Sequence, residues 1–140
     1  ATDGSALSKK AVKHAISLAA STGASLVALK VVPRYPVSFF DGSATLSVET
    51  VSEAEKKWVT DAEAQLDAVV KEAQSAGVKA KTAVVKSDLI AESIISAARK
   101  HKADLVVMAS HGRKGLKRIL LGSEALAVLT HSEVPVLILR

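Results

Sequence analysis

The chain has 140 residues, about one domain's worth, and with 49% hydrophobic and 24% charged residues it can bury a core. It has no cysteine, which excludes disulfides and thiolate metal sites and fits a reducing cytosol. The net charge of +5 favours an anionic partner, whether nucleotide, nucleic acid or acidic protein, without choosing among them. No apolar run approaches the ~20 residues that span a bilayer, and no signal-peptide pattern opens the chain. A cytoplasmic protein is expected.

Ala1-Thr2-Asp3-Gly4-Ser5 reads as the end of a strand and its turn, so a few apolar residues are expected upstream. Leu7, Ala11, Ala15, Leu18 and Ala19 then recur at helical spacing, with Lys9, Lys13 and Ser17 on another face. Gly23 stands where that helix should stop. Leu26 to Val32 is a mostly apolar run closed by Pro33, which reads as a strand buried on both faces. Residues 34–50 show neither period and hold Tyr35, Phe39 and Phe40. Such a loop is either a functional moving part or a flap packed by its own aromatics.

A long helix follows, opened by a capping box at Ser52 with Glu55 or at Thr50 with Glu53, and stopped by Gly77. Its apolar stripe is Val51, Ala54, Trp58, Ala62, Leu66, Val69 and Ala73, with Trp58 read as core or as a dimer contact. Val78 to Val85 reads as a strand near a sheet edge. Ser87 or Asp88 should cap the third helix, which buries Ala91, Ile94, Ile95 and Ala98 and ends on Arg99, Lys100 and Lys102. Asp104 to Ala109 is another buried strand, and Ser123 opens a short helix to about His131. Val134 to Leu139 is the last strand, placed at an edge by Pro135.

Strict alternation of strand and helix implies a doubly wound parallel α/β sheet, with right-handed crossovers and helices on both faces, in a single domain over 1–140. Ligands of such sheets bind beyond the carboxyl ends of the strands. Three segments lie there: Thr2 to Ser5, Ala109 to Gly112, and Gly122-Ser123. Glycine lets backbone amides approach an anion, and a helix start adds unpaired N–H groups. Between the last two segments, Arg113 to Arg118 carries four positive charges. Asp3 suits ribose or base groups better than phosphate. The same glycines also read as loop punctuation, and the basic run as a solvated face. No G-x-G-x-x-G follows a strand and no Walker loop exists, so any nucleotide is held another way.

These segments resemble the universal stress proteins. The resemblance lies in Ala1 to Ser5, in Val107-Met108-Ala109-Ser110-His111-Gly112 followed nine residues later by Gly122-Ser123, and in the closing Val134 to Leu139. It covers essentially the whole chain. In the family's ATP-binding members the motif reads Gly, two residues, Gly, nine residues, Gly, then Ser or Thr. Here the first glycine is Ala109, and a turn that is often Gly-Asp-Pro reads Ser87-Asp88-Leu89. The resemblance implies a Rossmann-like sheet of five parallel strands in the order 3-2-1-4-5, and a homodimer through Val134 to Leu139. It implies ATP, with or without Mg, or a related adenine nucleotide as ligand. Thr2, Asp3 and Val31 would face the adenosine part, and Met108 and Ala109 would line the crevice. The backbone of His111 and Gly112 would approach the phosphates, and Gly122, Ser123 and the amide of Glu124 would bind the phosphate tail. Its implied role is a nucleotide-dependent switch or scaffold in a stress response. A dimeric interaction protein with an empty crevice is the alternative.

Ser110 beside His111 suggests a hydrolase, but adjacent residues rarely align as nucleophile and base, and no G-x-S-x-G elbow exists. The four histidines lack ligand spacing. No confident general base is visible, so at most weak ATP hydrolysis is expected. Nucleic-acid binding would use the basic run, but no aromatics interleave with it.

Overall fold

The computed structural model describes residues 1–34, 48–112 and 121–140. Along them run α1 (Ala6–Thr22), β1 (Leu26–Val32), α2 (Val48–Ser75), β2 (Ala80–Lys86), α3 (Ile90–Lys100), β3 (Val106–Ala109), α4 (Ser123–His131) and β4 (Val136–Leu139). The expected α/β class is the observed one. Of the stretch 34–50, residues 48–50 belong to α2, and the aromatic residues lie outside the described residues, as does the basic run after Gly112.

β1 and β2 pair in parallel from Leu26 beside Ala80 to Val32 beside Lys86. β3 and β4 pair in parallel from Val106 beside Val136 to Ala109 beside Leu139. Among the described residues these are two two-stranded sheets, not one sheet of five strands. The chain's opening lies between them. The Thr2 N–H donates to the Leu29 carbonyl at 2.9 Å, and the Ala1 nitrogen donates to the Val107 carbonyl at 2.7 Å.

Strand alternation sorts the side chains onto two faces. Leu29 and Val31 of β1, with Val106 and Met108 of β3, join a core closed by Ile94 of α3 and Val128 of α4. Leu26 and Ala80 side instead with Ile16 and Ala19 of α1 and Ala73 of α2. Helices therefore cover both faces. Leu66 and Val128 are fully buried, and each such side chain contributes about 1.5–3 kcal/mol.

α1 is capped at both ends. Ser5 Oγ accepts the Ser8 N–H at 3.2 Å. Gly23 takes the left-handed φ of 70°, which lets Ala24 N–H reach back to the Ala19 carbonyl at 3.0 Å. The buried stripe of α1 differs from the expected one. Ser8 and Ile16 are buried and Leu18 is exposed, because the face meeting the sheet follows Ser8, Ala11, Ala15 and Ala19.

The boundaries also shift. α2 begins at Val48, so both expected capping boxes fall inside it. β2 begins at Ala80 rather than Val78, which packs in the second core. Neither Ser87 nor Asp88 caps α3. Ser87 Oγ accepts the Leu89 N–H at 3.0 Å, and Asp88 Oδ1 accepts the Arg34 N–H at 3.1 Å. The α3 start is served from a distance: Ala91 N–H donates to Glu124 Oε2 at 3.0 Å.

Candidate functional site

Parallel strands bring their carboxyl ends to one side, beside the 2–5 turn and the start of α4. A crevice of about 850 Å³ opens there, within the ~300–1,000 Å³ range of small-molecule sites. It is lined by the ten residues that the resemblance implies for a nucleotide: Thr2, Asp3, Val31, Met108, Ala109, His111, Gly112, Gly122, Ser123 and Glu124.

The turn that carries Thr2 and Asp3 is held by its own side chains. Thr2 Oγ1 accepts the Gly4 N–H at 3.2 Å and donates to Ser8 Oγ at 3.0 Å. Ser8 Oγ in turn donates to the Ser5 carbonyl at 3.0 Å. Gly4 sits at φ 83°, a conformation that other residues adopt only with strain. The Thr2 hydroxyl thus holds the turn and keeps one acceptor lone pair. Asp3 Oδ1 accepts the Ser5 N–H at 3.0 Å.

The end of β3 and the start of α4 meet directly: Gly122 N–H donates to the Ser110 carbonyl at 2.8 Å. The first helical bond of α4 runs from Leu126 N–H to the Gly122 carbonyl at 2.9 Å. The N–H groups of Ser123, Glu124 and Ala125 precede it, and the Gly122 cap has no side chain to take them. They carry the positive end of the helix dipole into the crevice.

Two glycines set the shape of this end. A Cβ on Gly122 would lie 3.1 Å from the Ser110 carbonyl oxygen and 3.6 Å from His111 Cα. A Cβ on Gly112 would lie 3.1 Å from Asp3 Oδ2. The Asp3 carboxylate therefore stands beside the Gly112 loop, closer to the expected phosphate end than the sequence suggested. Next to it, Ser110 Oγ lies 3.0 Å from His111 Nδ1, while His111 Nε2 is buried with no hydrogen-bond partner among the described residues.

The sequence reading missed one wall of the crevice. Lys30, Trp58, Asp61 and Gln65 line it on the α2 side. Lys30 is only 7% exposed, and its Nζ donates to Gln65 Oε1. Its signal was present, since Lys30 is the sole charge in the apolar run 26–32. Trp58, expected in the core or at a dimer contact, is half-buried and lines this wall. Among the described residues no group of three His, Asp or Glu side chains could hold a metal ion, and no helix is long and apolar enough to cross a membrane.

The model of the universal stress protein family matches residues 1–140. The chain is 40% identical over 139 residues to universal stress protein MJ0531 of Methanocaldococcus jannaschii, covering 99% of this chain and 78% of that protein. The solved structure of hypothetical protein MJ0577 superposes with a TM-score of 0.83 at 29% identity, over 99% of this chain and 90% of the other. A universal stress protein solved in complex with cAMP gives a TM-score of 0.70 at 25% identity, over 99% and 92% of the two chains. With these likenesses spanning the whole length, the chain belongs to the universal stress protein family.

Proposed function

We propose that this chain binds an adenine nucleotide, ATP or a close relative, in the crevice at the strand ends, and acts as a nucleotide-dependent switch or scaffold in a stress response. The observation that carries this is the open α4 N-terminus, which lies in the same crevice as Gly112 and Gly122. Amides at 111–112 and 122–125 take the phosphates, and Thr2, Asp3 and Val31 take the adenosine part. Ala109, in place of the motif's first glycine, is compatible with this: it is only 8% exposed, so little of its methyl reaches a ligand. Mg enters with the phosphates. The cAMP complex of a family neighbour supports an adenine ligand.

Residues 1–140 form one domain in which the two strand pairs join one five-stranded sheet, in the spatial order β2, β1, a central strand, β3, β4. Ala1 and Thr2 end its central strand, supported by their hydrogen bonds to β1 and β3. β4 pairs only with β3 among the described strands, which leaves its other edge for a second copy in a homodimer. The protein works in the cytoplasm. No catalytic side chain is assigned.

Titration calorimetry with Mg-ATP tests the ligand. A saturable heat and a thermal shift are expected. No heat and no shift at millimolar nucleotide would leave a dimeric interaction protein with an empty crevice. A gel shift of DNA or RNA that ATP cannot compete away would point to nucleic acid.

A further inference from the structure

The amides of the crevice leave the His111 side chain without a role. Ser110 is 1% exposed, and its Oγ lies 3.0 Å from His111 Nδ1. The imidazole stands against the α4 start, with Cδ2 3.9 Å from where a Cβ on Gly122 would sit. Its second nitrogen, Nε2, is buried and has no partner among the described residues. A neutral imidazole carries one N–H and one acceptor nitrogen. When the Ser110 hydroxyl donates to Nδ1, the ring proton sits on Nε2. The orphan is then a donor, and a buried donor without an acceptor is destabilising.

We propose that Ser110 holds His111 as the Nε2–H tautomer, and that Nε2 donates to a phosphoryl oxygen of the ligand docked at the α4 start. An anionic oxygen is the acceptor that bonds most strongly to this N–H together with the first-turn amides of α4. His111 is then a binding residue that reads the phosphate, and Ser110 is a positioning residue that acts through it. Both roles rest on the nucleotide reading of the crevice.

The test compares AMP with adenosine, by calorimetry, on the wild type, His111→Ala and Ser110→Ala. A hydrogen bond to a charged group corresponds to a factor on the order of ten to a hundred in affinity. His111→Ala should weaken AMP by that factor and leave adenosine unchanged. Ser110→Ala should weaken AMP by less, because Nδ1 then competes for the proton. Equal losses for both ligands, or none, would overturn the assignment while sparing the nucleotide site. Wild type that binds neither ligand would sink this assignment, and silence toward Mg-ATP as well would sink the nucleotide reading. A measurement on the wild type covers variants that fail to fold. Nitrogen-15 spectra of the histidine rings should show the Nε2–H tautomer at His111, with that proton protected and shifted by AMP. An Nδ1–H tautomer, or an Nε2 resonance indifferent to bound AMP, contradicts the proposal.

Discussion

Gly122→Ala separates the shape of the α4 start from its conformation. Gly122 has φ −71° and ψ 156°, ordinary extended values, so an alanine there incurs no backbone strain. The perturbation is therefore one methyl, 3.1 Å from the Ser110 carbonyl oxygen and 3.6 Å from His111 Cα. Both neighbours are backbone and cannot turn aside, and the same carbonyl accepts the Gly122 N–H at 2.8 Å. The α4 start must then draw away from β3 by a few tenths of an ångström. Overpacking of this kind costs about 1 kcal/mol or a little more, equivalent to a fall in Tm of about 3–5 °C. The displaced N–H groups also lose alignment with a phosphate, and one lost charged hydrogen bond weakens binding about tenfold or more. Thermal unfolding reads the first effect and AMP titration the second. Gly122→Val, whose branches also enter the crevice, should fold and bind no nucleotide. Undiminished AMP affinity in either folded variant would refute the reasoning.

Three further outcomes are expected. Gly112→Ala should weaken nucleotide binding with little change in Tm, because its Cβ meets a movable carboxylate, Asp3 Oδ2 at 3.1 Å, rather than backbone; a large fall in Tm would contradict this. Glu124→Ala should cost roughly 0.5–2 kcal/mol, the usual effect of losing a helix-start acceptor, by stripping the Ala91 N–H of its partner. Urea unfolding at pH 7 checks it, and an unchanged midpoint would show that water replaces the carboxylate without loss. His101 titrates below its ordinary 6.5 through partial burial and the nearby charges of Lys81 and Lys100. The unfolded chain then binds its proton more readily than the folded one, so stability falls as the pH drops through 6.5 toward the lower folded value. His101→Gln should remove that part of the slope between pH 7.5 and 5.5, and an identical slope would contradict it.

The features legible in the sequence were those that act locally. Alternating periods and the left-handed Gly23 marked the helices and strands, and the spacing from Gly112 to Gly122 marked two stretches that meet through one hydrogen bond. What escaped was set across the chain. The α3 start is completed by Glu124, 33 positions away, so nearby Ser87 and Asp88 misled as caps. The wall of Lys30, Trp58, Asp61 and Gln65 forms only when α2 packs over β1, and a helical stripe cannot tell a crevice wall from a core. Ser110 and His111 were discounted as a nucleophile–base pair because adjacent residues rarely align. Here β3 ends at Ala109, and beyond the strand their side chains can meet.

The central claim concerns where a nucleotide sits, and a backbone amide spectrum titrated with ATP reads this directly. The largest shifts should fall at Val31, at residues 109–112 and at residues 122–125, saturating together. Amides there that stay fixed at millimolar ATP, or shifts gathered on another face of the protein, would contradict it.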